Sequence, residues 1–260
     1  MMEAIFIKVL NMCISATWLI LAVMLLRLLL KKAPKWISVV LWGLVGLRLV
    51  LPFSLQSVFS LIPSAEVISP SIGYAQHPEI NSGVSVLDNA VNPTLSTSLA
   101  ATPMNSVNPM QIVLFLGGII WTVGIAILLL YGLISYLRLH RRVAEAIPYD
   151  EKNTWLCDQV KTPFILGVFR PRIYLPSGLN EEETAYVLAH EHAHLKRKDH
   201  LWKPLGFLLL TVYWFNPLVW VAYILLCRDI EAACDEKVIS DMAMTEKKAY
   251  ANALVSCSRS

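Results

Sequence analysis

Long uncharged apolar runs dominate the first half of the chain. No charge interrupts Val9 to Leu26, a run that with its flanks matches the roughly 20 residues a helix needs to cross a bilayer. A second run, Trp36 to about Ile62, is broken only by Arg48 and Pro52, and a third, Ile112 to Leu137, is uncharged throughout. The pattern predicts three spans, at about 4–30, 36–60 and 111–138. Between the second and third, Ser54 to Pro109 is rich in Ser, Asn and Pro and reads as a flexible loop, 61–110 being the part outside the spans. A cleavable leader would have a basic start, a shorter apolar core and a small-residue exit. The chain instead begins Met-Met-Glu-Ala, and its first run is read as a span.

Composition agrees with an integral membrane protein. Hydrophobic residues make up 56% and charged residues 16%, against about 25% charged in soluble domains, and the mean hydropathy is +0.55. Disorder, collagen-like repeats and small disulfide scaffolds are excluded. Basic residues flank the spans unevenly. Arg27, Lys31, Lys32 and Lys35 follow the first, Arg138, Arg141 and Arg142 follow the third, and residues 54–109 hold no Lys or Arg. Positive-inside counting puts the N-terminus outside, the 27–35 turn in the cytoplasm and everything after Arg138 starting there. Arg48 is read as snorkelling or paired within the bundle. The cysteines, Cys13, Cys157, Cys227, Cys234 and Cys257, form no CxxC pair and are read as reduced and structural.

Beyond the third span the composition becomes that of a globular domain. Arg172 to Leu175, between Pro171 and Pro176, predicts a short strand. Asn180 then caps a helix with Glu181, Glu182 and Glu183 in its first turn and Lys196, Arg197 and Lys198 near its far end, which suits the helix dipole at both ends. On it lies His190-Glu191-His192-Ala193-His194. At 100° per residue His190 and His194 share a face, His192 points elsewhere and is a surface or packing residue, and Glu191 lies beside the pair. Two such imidazoles can grip one Zn²⁺ while Glu191 reaches a water on it. A chance match to this motif in a chain with six histidines is about a one-in-a-hundred event, so a third ligand is required.

That ligand is sought in Arg228 to Asp235, where Glu231 and Asp235 stand four apart on a predicted helix. One of them can bind metal while the other orients a ligating histidine. Asp199 is a second candidate for the orienting task, with a helix-end charge as the alternative reading. The apolar stretch Leu205 to Cys227 intervenes, broken by Asn216-Pro217. A single crossing there would put Glu231 across the membrane from the histidines. The break predicts two short helices in a hairpin, about 201–227, that dips into or lies along the inner leaflet.

These ordered pieces resemble the M56 metallopeptidases of the BlaR1/MecR1 antirepressor type. The resemblance rests on Thr162-Pro-Phe-Ile-Leu-Gly167, Pro171-Arg-Ile-Tyr-Leu-Pro176, His190-Glu-His-Ala-His194, Trp214-Phe-Asn-Pro217 and Glu231-Ala-Ala-Cys-Asp235, with the three spans and the outward loop before them. It covers nearly the whole chain. It implies a mainly α membrane protein, with a membrane module at 1–142 and a cytoplasmic, gluzincin-like α+β protease domain at 143–260 that includes the hairpin. It also implies one catalytic zinc held by His190, His194 and Glu231, with Glu191 as the catalytic glutamate. The implied role is bacterial signalling through cleavage of a protein such as a transcriptional repressor. The sequence reaches Ser260 before the fourth span and sensor domain that the resemblance would imply; either it is truncated or the sensor is elsewhere, and β-lactam binding is not carried over.

The expected chemistry is metal-assisted peptide hydrolysis, with Glu191 taking the proton of a water and passing it to the leaving amine. Asp235 and Asp199 would orient the histidines. The strand at 172–175 would align an extended substrate, by analogy with other zincins. Competing readings are a quality-control membrane protease of the HtpX/Ste24 type and a transducer that signals by conformational change alone. An intramembrane protease is disfavoured because the charges at 181–183 and 196–198 bracket the motif. Direct nucleic-acid binding is not expected, since Arg138 to Arg142 is a juxtamembrane anchor and no Gly-rich phosphate loop is present.

Overall fold

The computed structural model describes residues 1–51, 66–101, 108–150, 153–240 and 242–259. It is mainly helical. The helices are α1 (Met2–Leu29), α2 (Lys35–Val50), α3 (Ser85–Ser98) and α4 (Pro109–Arg142), then, after four short strands, α5 (Glu181–Arg197), α6 (Asp199–Val212), α7 (Pro217–Ile239) and α8 (Met244–Arg259). The strands are β1 (Ile147–Asp150), β2 (Thr154–Leu156), β3 (Phe164–Leu166) and β4 (Arg172–Leu175).

Among the described residues, α1 and α4 are long and apolar enough to cross a membrane. α4 leaves Ile112, Phe115, Ile120, Ile127 and Leu130 about half exposed along its length. An apolar surface of that extent on one helix belongs against lipid or another protein. The expected second span begins as the 16-residue α2, and residues 52–60 of it lie outside the described residues. Arg48 donates from Nη1 to the Leu51 carbonyl at 3.1 Å, an exposed local bond at the end of α2.

Two compact units interleave along the chain. The first comprises Met1–Lys31, Leu41–Leu128 and Leu209–Ala222. Ile7, Ile72, Met110 and Leu114 form a core there, with Ile68, Ile80 and Leu99 packed against it. The segment expected to be a flexible loop is partly ordered: it carries α3, a 3₁₀ turn at Ile72–Tyr74 and an Ile68–Ile80 bridge. Asn11 explains part of that order. Buried on an apolar helix, its amide must find partners, and it pairs with both the N–H and the C=O of Ile68 at 2.8 Å each.

The tip of the α6–α7 hairpin belongs to this unit. Asn216 Oδ1 accepts from the Leu218 N–H at 2.9 Å and so caps α7, while its amide donates to Thr17 Oγ1 at 2.9 Å. Trp121 Nε1 donates to the Val212 carbonyl at 2.8 Å and Trp214 Nε1 to the Trp121 carbonyl at 3.2 Å.

The second unit comprises Lys32–Val40, Leu129–Leu208 and Tyr223–Ser260. Its four-stranded sheet has the order β1-β2-β4-β3, with β2 and β4 parallel and the other neighbours antiparallel. β4 buries Ile173, Tyr174 and Leu175. Ile173 and Leu175 form a core with Val187 of α5 and Cys257 of α8, so the sheet carries α5 on a two-helix layer.

Gly124 on α4 has the Trp214 indole where a Cβ would stand. Gly124→Ala should therefore push the hairpin tip off α4, costing about 1–3 kcal/mol and lowering the thermal midpoint of the detergent-solubilised protein. An unchanged midpoint would show that the indole does not seat there.

Candidate metal centre

α5 is held at both ends by its own sequence. Asn180 accepts from the Glu183 N–H at 2.8 Å and the Glu183 carboxylate returns to the Asn180 N–H, a reciprocal cap. At the other end Lys198 takes a left-handed conformation (φ 61°) and its N–H closes on the His194 and Leu195 carbonyls. The chain turns there and starts α6 at Asp199.

On α5, His190, Glu191 and His194 are buried whereas His192 is exposed. His192 is bonded through Nδ1 to the Leu188 carbonyl, at 2.7 Å. The Nε2 atoms of His190 and His194 face each other at 3.0 Å, and Glu231 of α7 brings Oε2 to 3.2 Å from the latter and 3.6 Å from the former. Ligand atoms set tetrahedrally about 2.0–2.1 Å from one ion stand about 3.3 Å apart. The two imidazoles and the carboxylate therefore fit a single divalent cation. Cys234 also lies close enough to the two histidines to form a cluster with them, but its thiol is turned to the His190 carbonyl, at 3.5 Å.

Both Nδ1 atoms are engaged by oxygen, which leaves the Nε2 lone pairs for a cation. His194 Nδ1 meets Asp199 Oδ2 at 2.8 Å. Asp199 is only 2% exposed and also accepts from Arg197 Nε at 3.1 Å, far more buried than a solvated helix-end charge. His190 Nδ1 lies 2.7 Å from the Tyr250 hydroxyl and 3.2 Å from Asp235 Oδ1. Lys203 of α6 grips Glu231 Oε1 at 2.5 Å. Sequence reasoning missed Tyr250 and Lys203. Lys203 had a signal, a cation at the mouth of an apolar stretch, whereas nothing in the sequence around Tyr250 marks it.

The electrostatics follow from the packing. Burial would lower the pKa of both imidazoles, but hydrogen bonds to Asp235 and Glu231 for His190, and to Asp199, Cys234 and Glu231 for His194, outweigh it and raise both. With the two Nε2 atoms 3.0 Å apart, only one can carry a proton between them. Glu231 is held well below the usual carboxylate range: burial opposes this, but His190, His194 and Lys203 prevail. Burial pushes Glu191 up.

These groups open onto a cleft of about 320 Å³. Phe164 and Ile165 of β3 line it together with Glu191, Lys203 and Leu254. The expectation that the strand at 172–175 aligns a substrate does not hold: β4 is paired on both edges, to β2 and β3. β3 ends the sheet on the cleft side.

Membrane-length apolar helices joined to a histidine–carboxylate centre on a small sheet-and-helix layer define a membrane-associated protein with a metallopeptidase-like site. Comparison with known proteins agrees. The family model described as BlaR1 peptidase M56 matches residues 7–260, and the chain belongs to that family. It is similar to the regulatory protein BlaR1 of Bacillus licheniformis, 32% identical over 145 residues. It is also similar to the methicillin resistance mecR1 proteins of Staphylococcus aureus and Staphylococcus epidermidis, each 24% identical over 131 residues. These alignments take in 47–48% of this chain but only 22–24% of the relatives' own lengths.

Removing either carboxylate behind a histidine should loosen the ring it orients. Asp199→Asn is expected to weaken divalent-metal binding about 10–100-fold, measured by competition with a chromogenic chelator. Because hydrogen bonding raises the pKa of both imidazoles, metal loading should release protons, and affinity should climb as pH rises. Calorimetry in buffers of different ionisation enthalpy reads that release, and equal heats in all buffers would contradict it.

Proposed function

We propose that the protein is a membrane-embedded, zinc-dependent endopeptidase that relays a signal by cutting a cytoplasmic regulatory protein, such as a transcriptional repressor. The observation that carries the reading is the convergence of His190, His194 and Glu231 beside the buried Glu191. Two imidazole nitrogens and one carboxylate oxygen suit zinc and leave a position open for reaction. The regulatory role rests on the family and on the names of the relatives.

In this reading His190, His194 and Glu231 would hold the metal, the histidines by their converging Nε2 atoms, with Lys203 on the other Glu231 carboxylate oxygen. Bound zinc supplies Lewis acidity, making water nucleophilic near neutral pH and polarising a carbonyl. Glu191 accepts the proton of the attacking water and delivers it to the leaving amine. Burial, which raises the Glu191 pKa, favours a carboxylate that takes and returns a proton readily. The outer edge of β3 supports an extended substrate by backbone pairing across the cleft.

The proposed topology has three spans, an outside N-terminus and a cytoplasmic site. One contact supports it: the Lys35 N–H donates to Glu236 Oε2 at 2.6 Å. This joins the basic turn after α1 to the helix that carries Glu231, so the two stand on one side of any membrane. The α6–α7 hairpin then enters and leaves by the same face.

Detergent-purified wild type should hold about one zinc per chain and Glu231→Ala markedly less. Glu191→Gln should keep its zinc while losing about 10²–10⁴-fold in cleavage of a peptide library. Retained cleavage would remove Glu191 from the mechanism, and a metal-free wild type would end the hydrolase reading. A topology reporter inserted after Ile239 should be protected from outside labelling. Labelling from outside would overturn the hairpin.

A further inference from the structure

The two histidines of the centre are not held alike. His194 has a buried carboxylate directly on Nδ1, from the residue that follows the α5 turn. The carboxylate serving His190, that of Asp235, is nearly half exposed and 3.2 Å away. Tyr250, only 3% exposed, touches both, its hydroxyl 2.7 Å from His190 Nδ1 and 2.8 Å from Asp235 Oδ1.

With a cation on Nε2 the neutral imidazole would carry its hydrogen on Nδ1, where the phenol oxygen at 2.7 Å is the nearer acceptor and Asp235 Oδ1 at 3.2 Å the farther one, and the phenol donates its own hydrogen to Asp235. A phenol can accept and donate at once, so it relays the carboxylate's influence to the ring and pins a surface side chain that would otherwise rotate. Tyr250 comes from α8, not from α5 or α7. α8 lies against α5: Cys257 joins the core under Val187, and Ser256 Oγ donates to Glu183 Oε1 at 2.9 Å. The Tyr186 and Tyr250 rings meet edge-on, with centroids 6.3 Å apart.

We propose that Tyr250 is a positioning residue that fixes the ring orientation and tautomer of His190, so that the metal centre is complete only while α8 is docked on α5. The proposal rests on the zinc reading above and deepens it: α8 becomes a control point for the site. A displacement of α8 withdraws the hydroxyl without touching a ligand, and His190 is left with one exposed acceptor.

The test uses the whole 260-residue chain in detergent, loaded with zinc for affinity and with cobalt(II) for its visible spectrum. Tyr250→Phe removes one oxygen from a packed ring. It should weaken zinc binding about 10-fold and shift the cobalt bands. Asp235→Asn should do likewise from the α7 side, and the double variant should lose less than the product of the two single losses. Ser256→Ala loosens the same α8–α5 contact away from His190, and should lower thermal stability while leaving the cobalt bands in place. Wild-type affinity and spectrum in Tyr250→Phe would overturn the proposal, as would strictly multiplicative losses in the double variant. An equal spectral change in Ser256→Ala would reduce Tyr250 to a packing residue. Failure of the wild type to bind either metal would instead defeat the underlying zinc reading.

Discussion

Everything about the second unit turns on bringing three donor atoms from two helices to one point. Two of them meet by helical arithmetic, since residues four apart share a face. The third sits 37 residues beyond His194, and the chain spends those residues on an apolar excursion and a return. The return must be tight. A Cβ on Gly206 of α6 would stand 3.1–3.2 Å from Tyr223 and Leu226 of α7, so the two helices approach where α6 offers no side chain. The Asn216 cap sets the start of α7, the helix that carries Glu231.

Charge is the second requirement. Glu191, Asp199, Glu231 and Asp235 crowd around two imidazoles, answered by Arg197 and Lys203. Carboxylates out of water are costly unless paired. Arg197 and Lys203 meet part of that cost through their ion pairs with Asp199 and Glu231, and a divalent cation at the converging nitrogens would meet it more fully. The same logic explains why the carboxylates stand on the Nδ1 side: they fix the rings and leave the converging nitrogens free.

Much of this was legible in the residues because its causes are local. The Asn180 cap, the histidine spacing, the strand between Pro171 and Pro176 and the break at Asn216-Pro217 each follow from short-range stereochemistry. What escaped depends on tertiary contact. Tyr250 reaches the centre only because α8 folds back onto α5. β4 reads as well as β3 for substrate pairing until the sheet order shows β4 enclosed. Part of the order within residues 66–101 comes from a buried amide on a distant helix, while the local composition suggests a loop. The place of Asp199 beside His194 depends on a left-handed lysine, a conformation that residue seldom adopts, and local sequence fits a helix-end charge equally well.

That lysine makes the link between α5 and α6 a ruler. One residue in a left-handed turn is all the chain that separates the end of α5 from Asp199, and this length alone aims the carboxylate back at the helix just completed. Inserting or deleting one residue would swing every later side chain on α6 by about 100°, carrying Asp199 off His194 and Lys203 off Glu231 together. Substitution within the link can be absorbed by neighbours, but a change in its length cannot. Over evolutionary time the spacing from His194 to Lys203 should therefore be kept more strictly than the identities of the residues between them.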